Sequence, residues 1–280
     1  MKVLLAGADG MLGSAFLELL KSKGVDVTPL YYPDFDYADL QSAERKLQGL
    51  SFDVLINCTA YTQVDASETN REVAFLVNAL GPEMLAKVSR QKNALLVHFS
   101  TDYVFNGQKT EPYYEDDLPD PVSVYGESKL AGEEAVSQYN PKHLIIRTSW
   151  LYGSNGQHFI AKMLKLAETK QELKIVADQV GGPTYTRDLA EKSWEAINVG
   201  LKGIVHITNQ GYCSWADLAE KIFTLRGLKV IVNRCPSTDY PTPAARPMNS
   251  RLANARLVKT GMPLLRGWEE AVAEYLGEDR

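Results

Sequence analysis

The most constraining feature of this sequence is an alternation. Short apolar runs alternate with helix-length amphipathic stretches from the first residue: Lys2–Ala6 then Met11–Ser22, Val25–Leu30 then Asp39–Leu47, Val54–Asn57 then Glu72–Arg90. The series continues with Ala94–Ser100, a helix around Tyr125, and His143–Arg147. Runs this short and this apolar, separated by helices, indicate βαβ units whose parallel strands are covered on both faces. The expected fold is therefore α/β, a doubly wound parallel sheet of Rossmann type over 1–150. After Trp150 the regularity loosens, and PTY, YPTPAARP and GMP punctuate shorter elements. A smaller, irregular C-terminal substrate lobe is expected over 151–280, with some segments returning to the first lobe. Helices at Trp215–Arg226 and Trp268–Leu276 read as packing elements of that lobe.

With 280 residues, 45% of them apolar and 23% charged, the chain can bury a sizeable core. A net charge of −5 gives no electrostatic footprint for nucleic acid or an anionic membrane, so any bound anion must be held by local geometry. Cys58, Cys213 and Cys235 stand far apart without metal-ligand spacing, which suggests neither a disulfide framework nor a metal site and fits a reducing cytoplasm. The apolar run in MKVLLAGADG is too short for a signal peptide or a membrane span and reads as a first strand.

The segment VLLAGADGMLGSAF sets Gly7, Gly10 and Gly13 between that strand and the first helix. In that context Gly7 makes a tight turn, Gly10 allows close approach to a pyrophosphate, and Gly13 allows the helix to pack against the strand. The helix supplies free N–H donors and a partial positive charge. The spacing is GxxGxxG rather than the usual GxGxxG, and its position in the first strand–turn–helix makes it a cofactor loop. Where an acid would hold a ribose hydroxyl, or an arginine a 2′-phosphate, the chain carries Leu30 and Tyr31. Asp34, Asp36 or Asp39 could still reach the adenosine, so the reading leans towards NADH and keeps NADPH open.

On a helix beginning near Val124, Tyr125 and Lys129 share one face with Gly132 and Val136, while Glu127 and Glu134 lie opposite. Such pairs are commonly snorkelling surface side chains. Here the glutamates claim the solvent side, and Gly132 is costly in a helix unless something comes close, so the Tyr–Lys face is expected to meet a partner or ligand. Moving a tyrosine from ~10 to ~7 takes roughly 4 kcal/mol, which one ammonium ~4 Å away in a partly screened site supplies. Tyr125 could then exchange a proton with a carbinol or carbonyl oxygen, tuned by Lys129. The end of the strand in LLVHFSTDYVF offers the hydroxyls of Ser100 and Thr101 to hold that oxygen.

Thr101, Tyr125-x-x-x-Lys129 and the glycine loop together resemble the extended short-chain dehydrogenase/reductase family. The longer strings FSTDYVFNG, YGESKLAGE, RTSWLYG, GGPTYTRDLA and ARPMNSRL are similar to its dTDP-4-dehydrorhamnose reductase branch, over nearly the whole chain. The resemblance implies NADPH- or NADH-dependent reduction of the C4 keto group of dTDP-6-deoxy-L-lyxo-4-hexulose. It implies that Thr101 polarises the C4 oxygen, Tyr125 donates its proton, and Lys129 supports both Tyr125 and the cofactor. It implies further that Gly10, Met11 and Leu12 lie against the pyrophosphate, that Ala60, Tyr61 and Thr62 border the adenosine and nicotinamide ribose, and that Asp36 and Tyr37 approach the adenine. Asp102 and Trp150, with Arg246 and Asn249, would join Thr101 against the nucleotide sugar. Relatives in the family can pair, sometimes with Mg²⁺ at the contact, so a homodimer is open, although no metal-ligand cluster here demands the ion. Two rivals are sugar-nucleotide dehydratases or epimerases, and a cofactor-binding regulatory subunit resembling that of methionine adenosyltransferase. Asp102 is followed by Tyr103, so the eliminating glutamate of dehydratases is missing; the retained Thr101, Tyr125, Lys129 and Trp150 argue for a working reductase.

Overall fold

The structure, a computed structural model, describes residues 1–278. Six parallel strands form the central sheet: β1 (Lys2–Ala6), β2 (Asp26–Leu30), β3 (Val54–Asn57), β4 (Leu95–Thr101), β5 (His143–Thr148) and a last strand at Gly203–His206. Across the sheet the order is Gly203–His206, β5, β4, β3, β1, β2. The chain moves outward from β1 to β2 and then crosses back to β3, which creates the topological switch where open α/β sheets bind ligands. β2 is the edge strand and the one that tolerates a proline, Pro29.

The connections are α1 (Met11–Ser22), α2 (Leu40–Gln48), a stretch made of α3 (Val64–Ser67), α4 (Arg71–Phe75) and α5 (Gly81–Gln91), and α6 (Val124–Tyr139). The second half adds α7 (Phe159–Ala167), α8 (Thr186–Asn198), α9 (Trp215–Leu225), α10 (Ala255–Lys259) and α11 (Trp268–Glu278). Leu12, Phe16 and Leu20 of α1 pack one face of the sheet together with Leu189, Trp194 and Ile197 of α8. Leu47, Leu85, Val88 and Val136 of α2, α5 and α6 cover the other face. A separate core, including Ile160, Leu173, Ile175, Leu218, Phe223 and Val272, lies among α7, α9, α11 and the parallel pair Glu172–Val176 and Ile231–Cys235. The chain after Trp150 thus serves both lobes: α8, the Gly203–His206 strand and Leu257 of α10 belong to the sheet lobe.

Sequence patterning treats 72–90 as one helix, but the structure interrupts it with a π turn at Leu76–Leu80. The cause is Asn78, which is fully buried. Its Oδ1 accepts from the Tyr61 N–H at 2.8 Å, and its Nδ2 donates to the Tyr61 carbonyl and the Ser128 hydroxyl, both at 3.0 Å. Its own carbonyl lies against α6, where a Cβ on Gly132 would sit 2.1 Å from it. Gly132 therefore allows helix-to-helix contact: of the partner or ligand expected against this face, it is a packed element of the chain that comes close at this position.

A second tie holds α6 to β5. Arg147 donates to Glu133 through Nε at 2.9 and 3.2 Å and Nη2 at 2.6 Å, with both side chains no more than 3% exposed. Removing one partner of a buried pair leaves the other charge uncompensated, so Arg147→Met is expected to cost about 3–5 kcal/mol in urea unfolding. The double variant Glu133→Leu/Arg147→Met should recover most of that loss; a double variant as unstable as the single one would contradict the ion-pair account.

Candidate active site

The glycine loop is fixed by the fold at two of its three positions. Gly7 has φ +74°, and its N–H and that of Ala8 both donate to the Leu30 carbonyl at 3.1 Å. A Cβ on Gly13 would fall 1.9 Å from the Gly7 carbonyl oxygen. At Gly10 the tightest neighbour of an added Cβ is that same oxygen at 3.3 Å, so the pressure for glycine there is not mainly internal. Gly10 is the N-cap of α1 and provides no side-chain cap, and no acid stands in the first turn. The first-turn donors of α1 and its positive end are thus open to an anion such as a dinucleotide pyrophosphate, and the residues present fit that group. Met11 faces the central cavity, whereas the Leu12 side chain is in the core, leaving its backbone as the group that can meet phosphate.

Ala60, Tyr61 and Thr62 follow β3 and are partly or fully exposed, with Tyr61 held at its backbone by Asn78. Asp36 caps a short turn by accepting from the Ala38 N–H at 3.0 Å. Tyr37 differs from expectation: its side chain is buried, receives a hydrogen bond from Thr59 at 2.8 Å, donates to Asn57 Oδ1 at 3.2 Å, and packs under Gly81. It supports the loop from beneath instead of reaching out to an adenine. Leu30 is likewise buried, and exposed Tyr31 and Tyr32 follow it.

Thr101 ends β4, and Tyr125 and Lys129 lie on the buried face of α6, whose first turn is capped by the Ser123 hydroxyl accepting from Gly126 N–H at 3.2 Å. The Tyr125 ring meets Tyr103 edge to face with centroids 5.4 Å apart, and its hydroxyl pairs with that of Thr101. Thr101 also donates to Asp102 Oδ1 at 2.9 Å. The electrostatics reverse the expectation for Tyr125. Burial, reinforced by nearby Asp102, pushes its phenol above the ordinary range, and the Thr101 hydrogen bond only partly offsets this. Lys129 is itself pushed down to about 8, chiefly by burial, and donates to the Phe99 carbonyl at 2.6 Å. Desolvation dominates, and Lys129 is not among the groups that act on the phenol, so Tyr125 is held neutral.

Thr101, Asp102, Tyr125, Trp150 and Arg246 all line one cavity of about 740 Å³ at the carboxyl ends of β4 and β5. The buried hydroxyls of Ser100 and Thr148 also line it and have no protein partner. Arg246 is paired with Asp65 at 2.6 Å and donates to the Tyr103 hydroxyl at 3.3 Å. A neighbouring cavity of about 490 Å³ adjoins the first through Tyr103, Phe159, Trp215 and Arg246. Asn249 is not brought to either: its amide donates to the Lys109 and Glu111 carbonyls at 2.8 Å each, and so anchors a loop. Sequence reasoning misses Asp65, Tyr103 and Trp215. Trp215 opens α9, which its pattern presents as a packing helix, and the ring stacks on Trp150. Among the described residues no three His, Cys, Asp or Glu side chains converge on a metal position, and nothing here supports the Mg²⁺ expectation. Nor is any helix among them long and apolar enough to cross a membrane.

Asp102 provides a test of how dry this cavity floor is. Burial pushes its carboxyl up to about 6, so the fold favours the protonated form. The stability it contributes is full below about pH 4 and is lost as the pH rises through its folded value. Asp102→Asn should flatten this part of the pH profile, with the difference from wild type changing by on the order of 3 kcal/mol between pH 4 and 7 in urea unfolding. Identical pH slopes in the two proteins would refute a desolvated carboxyl.

Comparison with known proteins agrees with this geometry. The family model described as the RmlD substrate binding domain matches residues 1–280. The chain is 41% identical over 277 residues to the spore coat polysaccharide biosynthesis protein SpsK of Bacillus subtilis, covering 99% of this chain and 97% of that one. It is 38% identical over 282 residues to the dTDP-4-dehydrorhamnose reductase of Sinorhizobium fredii, covering 97% and 95%. The crystal structure of dTDP-4-dehydrorhamnose reductase from Bacillus anthracis in complex with NADP superposes with a TM-score of 0.96 at 37% identity, covering 99% of this chain and all of that one. Similarity that runs from end to end, in sequence and in backbone, leaves no part of the chain outside the match: it belongs to the dTDP-4-dehydrorhamnose reductase family of extended short-chain dehydrogenases/reductases.

Proposed function

We propose that this chain reduces the C4 keto group of dTDP-6-deoxy-L-lyxo-4-hexulose to give dTDP-L-rhamnose, with NADPH or NADH as reductant and Tyr125 as the proton donor. The observation that carries the reading is the convergence of Tyr125 and Thr101 on one cavity that also holds Trp150 and Arg246 and reaches Met11 at the mouth of α1. A reduced nicotinamide, when bound, supplies the hydride for the C4 carbon. The chain's own residues do the rest. Thr101 Oγ1 and Tyr125 Oη can both meet the carbonyl oxygen, and the proton on Oη passes to that oxygen as it gains charge. A phenol held neutral by burial is the protonation state that a donor needs at the start of a reduction. Lys129, one turn along the same face, offers the positive charge that steadies the phenolate left behind. Arg246 presents a planar fork suited to a diphosphate.

The test is to mix the protein with the 4-keto deoxysugar nucleotide and follow NADPH and NADH absorbance separately. Oxidation of either supports the reading, and oxidation of neither despite cofactor binding would sink it. Tyr125→Phe should lower kcat by about 10²–10⁴-fold while leaving NADPH binding unchanged. Arg246→Gln should act on the other parameter, raising KM for the nucleotide sugar about tenfold with a much smaller change in kcat.

A further inference from the structure

Trp150 sits in a backbone conformation that a bulky side chain rarely adopts, with φ +49°. A strained residue persists only where its surroundings overdetermine it, and such strain gathers at functional sites. Three contacts hold it. Its carbonyl accepts from the Thr184 N–H at 3.2 Å. Its indole fills the space beside Gly181, where a Cβ would lie 2.5 Å from ring atom Cε2. Its ring is stacked on Trp215 with centroids 3.4 Å apart and planes 7° from parallel.

That stack is unusual in itself, because aromatic quadrupoles favour offset or edge-on pairs over a full face-to-face sandwich. The arrangement must be imposed, and the restraints on Trp215 show how. Its indole N–H donates to Gln179 Oε1 at 3.3 Å, and Phe159 braces it with centroids 4.7 Å apart. Its backbone is the first residue of α9, and the start of that helix is fixed by a reciprocal capping box between Ser214 and Asp217. The C-terminal lobe thus fixes Trp215, and Trp215 lies face to face on the strained Trp150 in the cavity that Tyr125 and Thr101 also line.

We propose that Trp215 is a positioning residue of the reduction: it acts through Trp150, holding that indole as the wall that orients the hexose ring towards Tyr125 and Thr101. The proposal rests on the reductase reading above. Its signature is non-additivity: Trp215 also lines the cavity itself, but a loss that is transmitted through Trp150 cannot be suffered a second time once Trp150 is gone.

The experiment measures kcat and KM for the 4-keto deoxysugar nucleotide, the Kd of NADPH, and the near-ultraviolet circular dichroism of the indoles, in wild type, Trp215→Ala, Trp215→Phe, Trp150→Ala and the double alanine variant. Trp215→Ala should lose the dichroism of the stacked pair, raise KM and lower kcat by about tenfold each, and leave the NADPH Kd within about twofold. Trp215→Phe, which still offers a ring to stack on, should recover kcat/KM to within about threefold of wild type. The double variant should be no worse than Trp150→Ala alone. Losses that multiply in the double variant, or an unchanged kcat/KM in Trp215→Ala after the stack is lost, would overturn the positioning role while the reductase reading stands. A wild type that oxidises neither NADPH nor NADH with this nucleotide overturns both.

Discussion

The contact on which the site depends most is between two backbones. At the π turn the Asn78 carbonyl touches α6 at Gly132, so closely that no other residue type fits there without movement. The Asn78 side chain at the same time grips both backbone groups of Tyr61 and the hydroxyl of Ser128. One buried residue thereby fixes the height of α6 above the sheet and the path of the loop after β3. Tyr125 and Lys129 occupy their places because α6 is seated at that height, and the loop that borders the expected cofactor is tied to the same point. π turns interrupt helices most often where function needs the displaced geometry, and here the displacement serves two sides of the cavity.

Burial then determines the chemistry available to the pair. Two ionisable groups on one helix face can each be tuned by the other, but only if neither bears a larger desolvation cost. In this structure both are buried, Lys129 is brought to about 8 while donating to the Phe99 carbonyl, and Glu133 and Cys58 rather than Tyr125 are the groups that favour its charge. The resting state is a neutral phenol beside an ammonium whose charge is already weakened. In the reduction proposed above, such a site would release its proton only as charge develops on the substrate oxygen, together with the hydride rather than before it.

The legible parts of this molecule are those written in local pattern. Parallel strands buried on both faces must be apolar throughout, so β1, β3, β4 and β5 stand out in the sequence. Gly7 and Gly13 are legible because a tight turn and a helix lying against a strand exclude side chains. Gly132 draws notice for the right reason, a glycine inside a helix, but its neighbour is Asn78, 54 positions earlier in the chain. Tyr37 and Asn249 illustrate the opposite failure. Each lies in a stretch that resembles a ligand-binding segment, yet the hydrogen-bonding capacity of each side chain is engaged by the protein itself. Trp215 is hidden because an aromatic residue at a helix start looks the same whether it packs a core or walls a cavity.

Asp65 is hidden for a stronger reason: its partner Arg246 is 181 residues away, and no periodicity or spacing connects them. Their ion pair is partly exposed, 26% at the arginine side chain and 41% at the aspartate, and pairs of that kind contribute little to stability. Its consequence lies in geometry. Arg246 stands where the two cavities meet, and an unrestrained arginine would lose considerable rotamer freedom on gripping an anion there. Asp65 accepts from the Arg246 guanidinium and also from the Ala244 N–H, at 3.4 Å, so one carboxylate on the sheet lobe holds both the arginine and the stretch of chain that carries it. The diphosphate proposed above would then meet a guanidinium whose position is already fixed, with Tyr103 accepting from it on the other side. The two lobes are thus joined by an ion pair at the point where the two cavities meet.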